Sequence, residues 1–182
     1  MYRRFIVLAL GLAPACTGPD LGPGDFELPP GAPPAVVTDA AVYTLIRDNW
    51  GYRAAAMATY TNRTNRAVYF QRCTRGDATP IYSLRRSGPD STAATVVTAI
   101  WACVGGVPGG RILPGESIST RVDLGSYDSP QAQPPITPAE RVGRFRVEFA
   151  LCVSKVESSG DCVALPQAAR ESNAFEVRFP AP

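Results

Sequence analysis

The 182-residue chain carries 18 Lys+Arg against 16 Asp+Glu and no histidine. The positive excess is Arg3 and Arg4; beyond them the charges balance, which argues against broad electrostatic attraction to nucleic acid or anionic lipid. Without histidine, Ser/His/Asp and Cys/His catalysis are excluded, and the length suits one core rather than two.

Residues 1–15 have the layout of a signal peptide. Tyr2-Arg3-Arg4 supplies a positive end, FIVLALGL (Phe5 to Leu12) an apolar run, and Ala13-Pro14-Ala15 a small-residue exit before Cys16. The run is far shorter than the ~20 residues that span a hydrocarbon core, so a permanent membrane helix is not expected. Residues 16–34 follow with TGPDLGPGDFELPPGAPP after the cysteine, dense in Pro and Gly and without a period, which reads as a tether.

From Ala35 to Pro182 the pattern is that of strands. Phe145, Val147, Phe149 and Leu151 alternate with Arg144, Arg146, Glu148 and Ala150, placing the apolar set inward and Glu148 outward. On this reading Phe149→Ala is costly and Glu148→Ala nearly silent. Phe175, Val177 and Phe179 alternate with Glu176 and Arg178, and Ile118, Val122 and Leu124 form a third case after Pro114-Gly115. Further strands are expected near Ala41 to Ile46, Gly51 to Thr61, Ala67 to Cys73, Ile81 to Arg86 and Thr95 to Cys103, with no sustained helical period anywhere. Turn residues fall at Asp48-Asn49-Trp50-Gly51 and at Asn62-Arg63-Thr64-Asn65, whereas Gly105 to Gly110 and Gly125 to Pro138 read as surface loops. About eight short strands so spaced predict an all-β antiparallel sandwich over residues 35–182.

Two resemblances attach to these residues. Leu12 to Cys16 resembles the lipobox of bacterial lipoproteins, which implies that Cys16 becomes the lipidated N-terminus; Ala13-Pro14-Ala15 equally suits an ordinary signal peptidase, so a plain secreted protein is the alternative. The odd count of five cysteines favours lipid, since modifying Cys16 leaves four that can pair. Tyr60-Thr61-Asn62-Arg63-Thr64, Val68-Tyr69-Phe70, Cys73, Pro114-Gly115-Glu116-Ser117 and Gly143-Arg144-Phe145-Arg146-Val147 resemble the immunoglobulin-like domains of uncharacterised bacterial lipoproteins. They are similar in layout to the BsuPI-type proteinase-inhibitor family. The resemblance implies an immunoglobulin-like sandwich and leaves the activity open.

The other cysteines are Cys73, Cys103, Cys152 and Cys162, which allow three pairings. The short loop favours Cys152 with Cys162, leaving Cys73 with Cys103, and loop closure gives each bridge roughly 3 to 4 kcal/mol. Without histidine or a CxxC spacing no metal or cofactor is expected, and adjacent Ser154 and Lys155 would point to opposite strand faces. Gly105 to Gly110 lacks the ending of a phosphate loop. Arg63, Arg66, Arg72, Arg75, Arg85 and Arg86, opposed only by Asp77, form either a basic patch or an array of solvated outer-face arginines. Tyr60, Tyr69, Phe70, Tyr82 and Trp101 are either core or an exposed stripe, and Asn62-Arg63-Thr64 either a glycosylation acceptor or a turn.

Two function classes follow. One is a non-catalytic binding or accessory module of the cell envelope, held through lipid on Cys16 and meeting an envelope protein or polymer. The other is a protease inhibitor presenting the proline-containing loop 125–138 at reduced ordering cost.

Overall fold

The computed structural model describes residues 33–49, 51–72, 78–87, 96–97, 107–127, 138–157 and 161–181. These form an all-β domain in which sheets pack over a shared core as an immunoglobulin-like sandwich.

The chain enters on β1 (Val36–Thr38), which pairs antiparallel with β5 (Ala55–Thr61). It then crosses to the other sheet, where β2 (Val42–Thr44) lies parallel to the last strand, β14 (Phe175–Arg178). Asp39 fixes the crossing, because its carboxylate accepts from the Tyr43 hydroxyl at 2.5 Å and from the Met57 amide at 2.8 Å. From the far side Asn173 clamps Thr38, accepting from its amide at 2.9 Å and donating to its hydroxyl at 2.9 Å.

The first sheet runs β1-β5-β10, with β10 spanning Ser117–Asp123. Period-two alternation turns Ala56, Ala58 and Tyr60 of β5, and Thr120 and Val122 of β10, into the core. Pro114-Gly115 opens β10 as expected: Gly115 holds φ +80° and the Glu116 amide donates to Leu113 O at 3.0 Å, the geometry of a type II turn. The second sheet runs β2-β14-β12-β7-β8, where β12 is Gly143–Phe149, β7 Tyr82–Ser87 and β8 Val96–Val97. Phe145, Val147 and Phe149 of β12 and Phe175 and Val177 of β14 are buried as the alternation predicts. Phe175 meets Tyr43 edge-on with ring centroids 5.3 Å apart.

The strand count exceeds eight, because several expected strands break in two and three unexpected ones appear. Leu45 separates β2 from β3 (Ile46–Asp48), Ala54 separates β4 (Gly51–Arg53) from β5, and Ala150 separates β12 from β13 (Leu151–Cys152). At each break one further backbone bond continues the ladder with the strand already paired: the Leu45 amide donates to Arg178 O, the Ala150 amide to Ile81 O, and Ala54 O accepts from the Leu124 amide. The strands β3 and β4 form a ribbon with β11 (Ser126–Tyr127), in a segment read above as loop. The remaining ribbon, β13-β6-β9, joins β6 (Val68–Arg72) to β9 (Val107–Ile112), which corrects the reading of Gly105 to Gly110 as a plain surface loop. That strand escapes pattern reading because Gly109 and Gly110 carry no side chain to alternate. At Gly109 that bareness is required, since a Cβ there would stand 2.3 Å from the Phe70 ring.

Two further expectations fail. Phe179 does not continue the inward face of β14; the strand ends at Arg178, and Phe179 is 40% exposed with its ring edge on Tyr52. Glu148 points to the outer face of β12 but is only 5% exposed, because the segment through Leu165 and the short helix α1 (Gln167–Arg170) covers it. Beneath this cover Arg85 and Arg170 each donate to one carboxylate oxygen of Glu148. Glu171 lies 3.8 Å from Arg85 and 3.9 Å from Arg146, extending the charge network.

Candidate functional site

The ribbon β13-β6-β9 and the loop that leaves it enclose a recess. In the ladder, Tyr69 of β6 faces Cys152 of β13 on one side and Arg111 of β9 on the other, which fixes the inner wall. The outer wall follows Cys152, where the chain turns through Ser154, Lys155 and Val156 and returns to Cys162. The two cysteines are joined by a disulfide with their Cα atoms 6.0 Å apart. Three further bonds close the loop: the Val153 amide to Val163 O at 2.8 Å, the Val163 amide to Ser154 Oγ at 2.9 Å, and the Glu157 amide to Asp161 O at 2.9 Å. Gln71 of β6 donates to the Cys162 sulfur at 3.6 Å, tying the bridge to the ribbon.

Between these walls lies a cavity of about 220 Å³, lined by Tyr69, Pro108, Gly109, Gly110, Arg111, Lys155 and Val156. The glycines form its floor over Phe70, whose ring bars a side chain at Gly109 and crowds one at Gly110. Its basic members are Arg111 and Lys155, the one lysine in the chain, which line the space with their apolar stems. Both side chains are exposed, and no described carboxylate pairs with either.

Of the other arginines singled out in the sequence, Arg63, Arg72, Arg85 and Arg86 each have a local partner. Arg85 is drawn into the Glu148 pair; Arg86 lies over the Phe145 ring and donates to Glu140 O and Val142 O. Arg72 donates to Pro108 O at 3.0 Å and Arg63 to Pro33 O at 2.9 Å, so each cation has local work. Arg75 and Asp77 lie outside the described residues.

Asn62 is fully buried and structural. Its amide nitrogen donates to Arg66 O at 2.6 Å and Ile112 O at 2.8 Å, while its oxygen accepts from the amide and hydroxyl of Thr64. The Asn62-Arg63-Thr64 sequence is therefore an Asx turn sealing the β5–β6 connection, with no free amide for a glycan. Tyr60, Phe70 and Tyr82 are core, and burial pushes the Tyr60 hydroxyl up to about 12. Tyr69 is half-buried and turned to the recess, and Trp101 lies outside the described residues.

Cys16 lies outside the described residues, as do Cys73 and Cys103 and the inhibitor-loop residues 128–137. Among the described residues no group of three His, Cys, Asp or Glu could hold a metal, and no helix is long and apolar enough to cross a membrane. Of the recess residues, the sequence had singled out Lys155, Tyr69 and the glycines, each for a different reason. The signal that would have joined them was a short disulfide loop carrying the lone lysine. No family model matches the chain, and neither a curated protein nor a solved structure matches it.

Proposed function

We propose that the chain is an exported, lipid-tethered binding module of the cell envelope that does no chemistry of its own. The observation that carries this reading is the recess between β9 and the Cys152–Cys162 loop, where two exposed basic side chains with no described carboxylate partner flank apolar walls. Among the described residues no nucleophile and base are paired beside it: Ser154 Oγ accepts the Val163 amide and no described acid forms an ion pair with Lys155. The signal-peptide layout of residues 1–15, the lipobox-like Cys16 and the Pro/Gly tether of residues 16–34 support display on a membrane surface. A modified Cys16 carrying more than one chain would hold the domain stably, as a single acyl chain does not.

The test uses the full chain in intact bacterial cells, with a photo-cross-linking residue placed at Arg111 or, on the far sheet, at Thr59. Adducts to an envelope component at position 111 and not at 59 support the reading; equal or absent adducts overturn it. Detergent partitioning of the full chain and Cys16→Ser tests the anchor in parallel. If the unmutated chain is released with an unmodified cysteine, the tether is wrong.

A further inference from the structure

The recess has a composition that selects its ligand, a step that rests on the binding-module reading. Its volume of about 220 Å³ is smaller than the roughly 300 Å³ at which pockets begin to enclose whole drug-sized molecules. It therefore suits one side-chain-sized group. The walls that such a group meets are Tyr69, Pro108 and Val156, with the backbone of Gly109 and Gly110 below. All are apolar surfaces or bare peptide, so the group that enters is apolar.

The charge of the described lining is all of one sign. Arg111 and Lys155 stand on opposite walls, one on the ribbon and one on the disulfide loop, and no described carboxylate belongs to the lining. Arg63, Arg72, Arg85, Arg86 and Arg170 are engaged with carboxylates or carbonyls; Arg111 and Lys155 are both exposed beside the same small space, with no described carboxylate paired to either. A ligand with one apolar group and one anion beside it satisfies both features. We propose that the recess binds the carboxyl terminus of a partner polypeptide whose last residue is apolar. The final side chain sits between Tyr69 and Val156, and the terminal carboxylate sits between Arg111 and Lys155.

The disulfide has a part in this. Lys155 and Val156 belong to the loop closed by Cys152 and Cys162, so the bridge holds one wall and one cation opposite the other. Reduction frees that wall while leaving Arg111 on β9.

The experiment titrates the full chain, isotope-labelled and oxidised, with N-acetyl-glycyl-phenylalanine and with the same compound as its C-terminal amide. Binding is read from the backbone amide shifts of Gly109, Gly110 and Arg111. The acid is expected to shift these amides saturably, and the amide to bind at least about fivefold more weakly, the scale of one or two exposed ion pairs. Lys155→Met and Arg111→Met should each bring the acid toward the affinity of the amide and leave the amide unchanged. Reduction should weaken both compounds in the unmutated protein, since it loosens Val156 as well as Lys155, and should weaken the acid by a smaller factor in Lys155→Met. Equal binding of acid and amide, no shifts at ~10 mM of either, or full acid affinity in both variants would each overturn the proposal. Probe binding with no cross-linked envelope component would leave the ligand chemistry standing and remove the envelope reading; cross-linking without probe binding would do the reverse.

Discussion

Between the sheets, Phe145, Val147, Phe149, Phe175 and Val177 meet as side chains no more than 2% exposed, with no polar atom among them. At the seams, where the chain leaves one sheet for another, the contacts are of another kind: Asp39 on Tyr43 and Met57, Asn62 on Arg66 and Ile112, Glu148 on Arg85 and Arg170. The interior is held by burial, which is non-directional and tolerant of small shifts. The seams are held by directional bonds, and where these are buried, as at Asn62 and Glu148, removing one partner strands the other. The sandwich thus uses side-chain volume to bring its sheets together and polar geometry to decide where each strand stops.

The sharpest test of the interior is Phe149→Ala. Phe149 is fully buried at the centre of the core, so the variant should lose about 3 to 5 kcal/mol in chemical denaturation. The exposed Glu176→Ala on β14 should stay within about 0.5 kcal/mol. Similar losses at the two positions would erase the distinction between inward and outward faces.

Glu148→Ala tests the seam beside it and reverses the expectation of a silent outer-face change. The substitution leaves Arg85 and Arg170 without their shared carboxylate, beneath the cover of α1. Their side chains retain 27% and 22% exposure, so water relieves part of the penalty, and a loss of about 2 to 3 kcal/mol is expected. Glu148→Gln, which keeps the shape and loses the charge, should fall between. A silent Glu148→Ala would mean that the cover packs on β12 without help from the ion pairs.

These two neighbours also show what a sequence can and cannot reveal. The inward face of β12 was legible because alternation is local: each side chain's direction follows from its position in the strand. The burial of Glu148 was not, because residues 165–172 cover it from some twenty positions further along the chain, and no local pattern records that. The Cys152–Cys162 bridge was legible from loop length alone. The β9 strand was not, since Pro108, Gly109 and Gly110 erase the alternation that would mark it, and with it went the floor of the recess. The reach of Phe179 was overstated for a related reason: the strand ends where the ladder ends, one residue earlier, and the pattern has no sign for that.

Gly109→Ala sharpens the comparison at the ribbon. The added methyl would press on the Phe70 ring at 2.3 Å and on Phe70 O at 2.7 Å, so backbone must move, costing about 1 to 2 kcal/mol. Gly110→Ala meets the same ring at 3.2 Å and should cost less. If the order reverses, the ribbon is not packed on Phe70 as described. Both variants should keep the disulfide, which non-reducing peptide mapping would verify.

The smallest expected effect is at the crossing from β1 to β2, where Tyr43→Phe removes one hydroxyl and leaves the ring on Phe175. That hydroxyl donates to Asp39 at 2.5 Å and accepts from the Ala40 amide at 3.0 Å, so its loss should cost about 1 kcal/mol near neutral pH. The pH profile is the more telling measurement. The Tyr43 hydrogen bond holds the Asp39 carboxyl below its ordinary value, so Asp39 contributes stability above that value and loses it as pH falls through the lowered one. Burial, followed by the bond to Asp39, pushes Tyr43 up to about 12 from 10.0, so its contribution is complete below pH 10 and is lost as pH rises toward 12. Tyr43→Phe should therefore flatten the acid limb of the stability curve. The alkaline limb should shrink without vanishing, because buried Tyr60 is raised to about 12 independently. Unchanged limbs in Tyr43→Phe would show that the Tyr43–Asp39 bond does not set the crossing, leaving it to the strand ladders and the bond from the Met57 amide to Asp39.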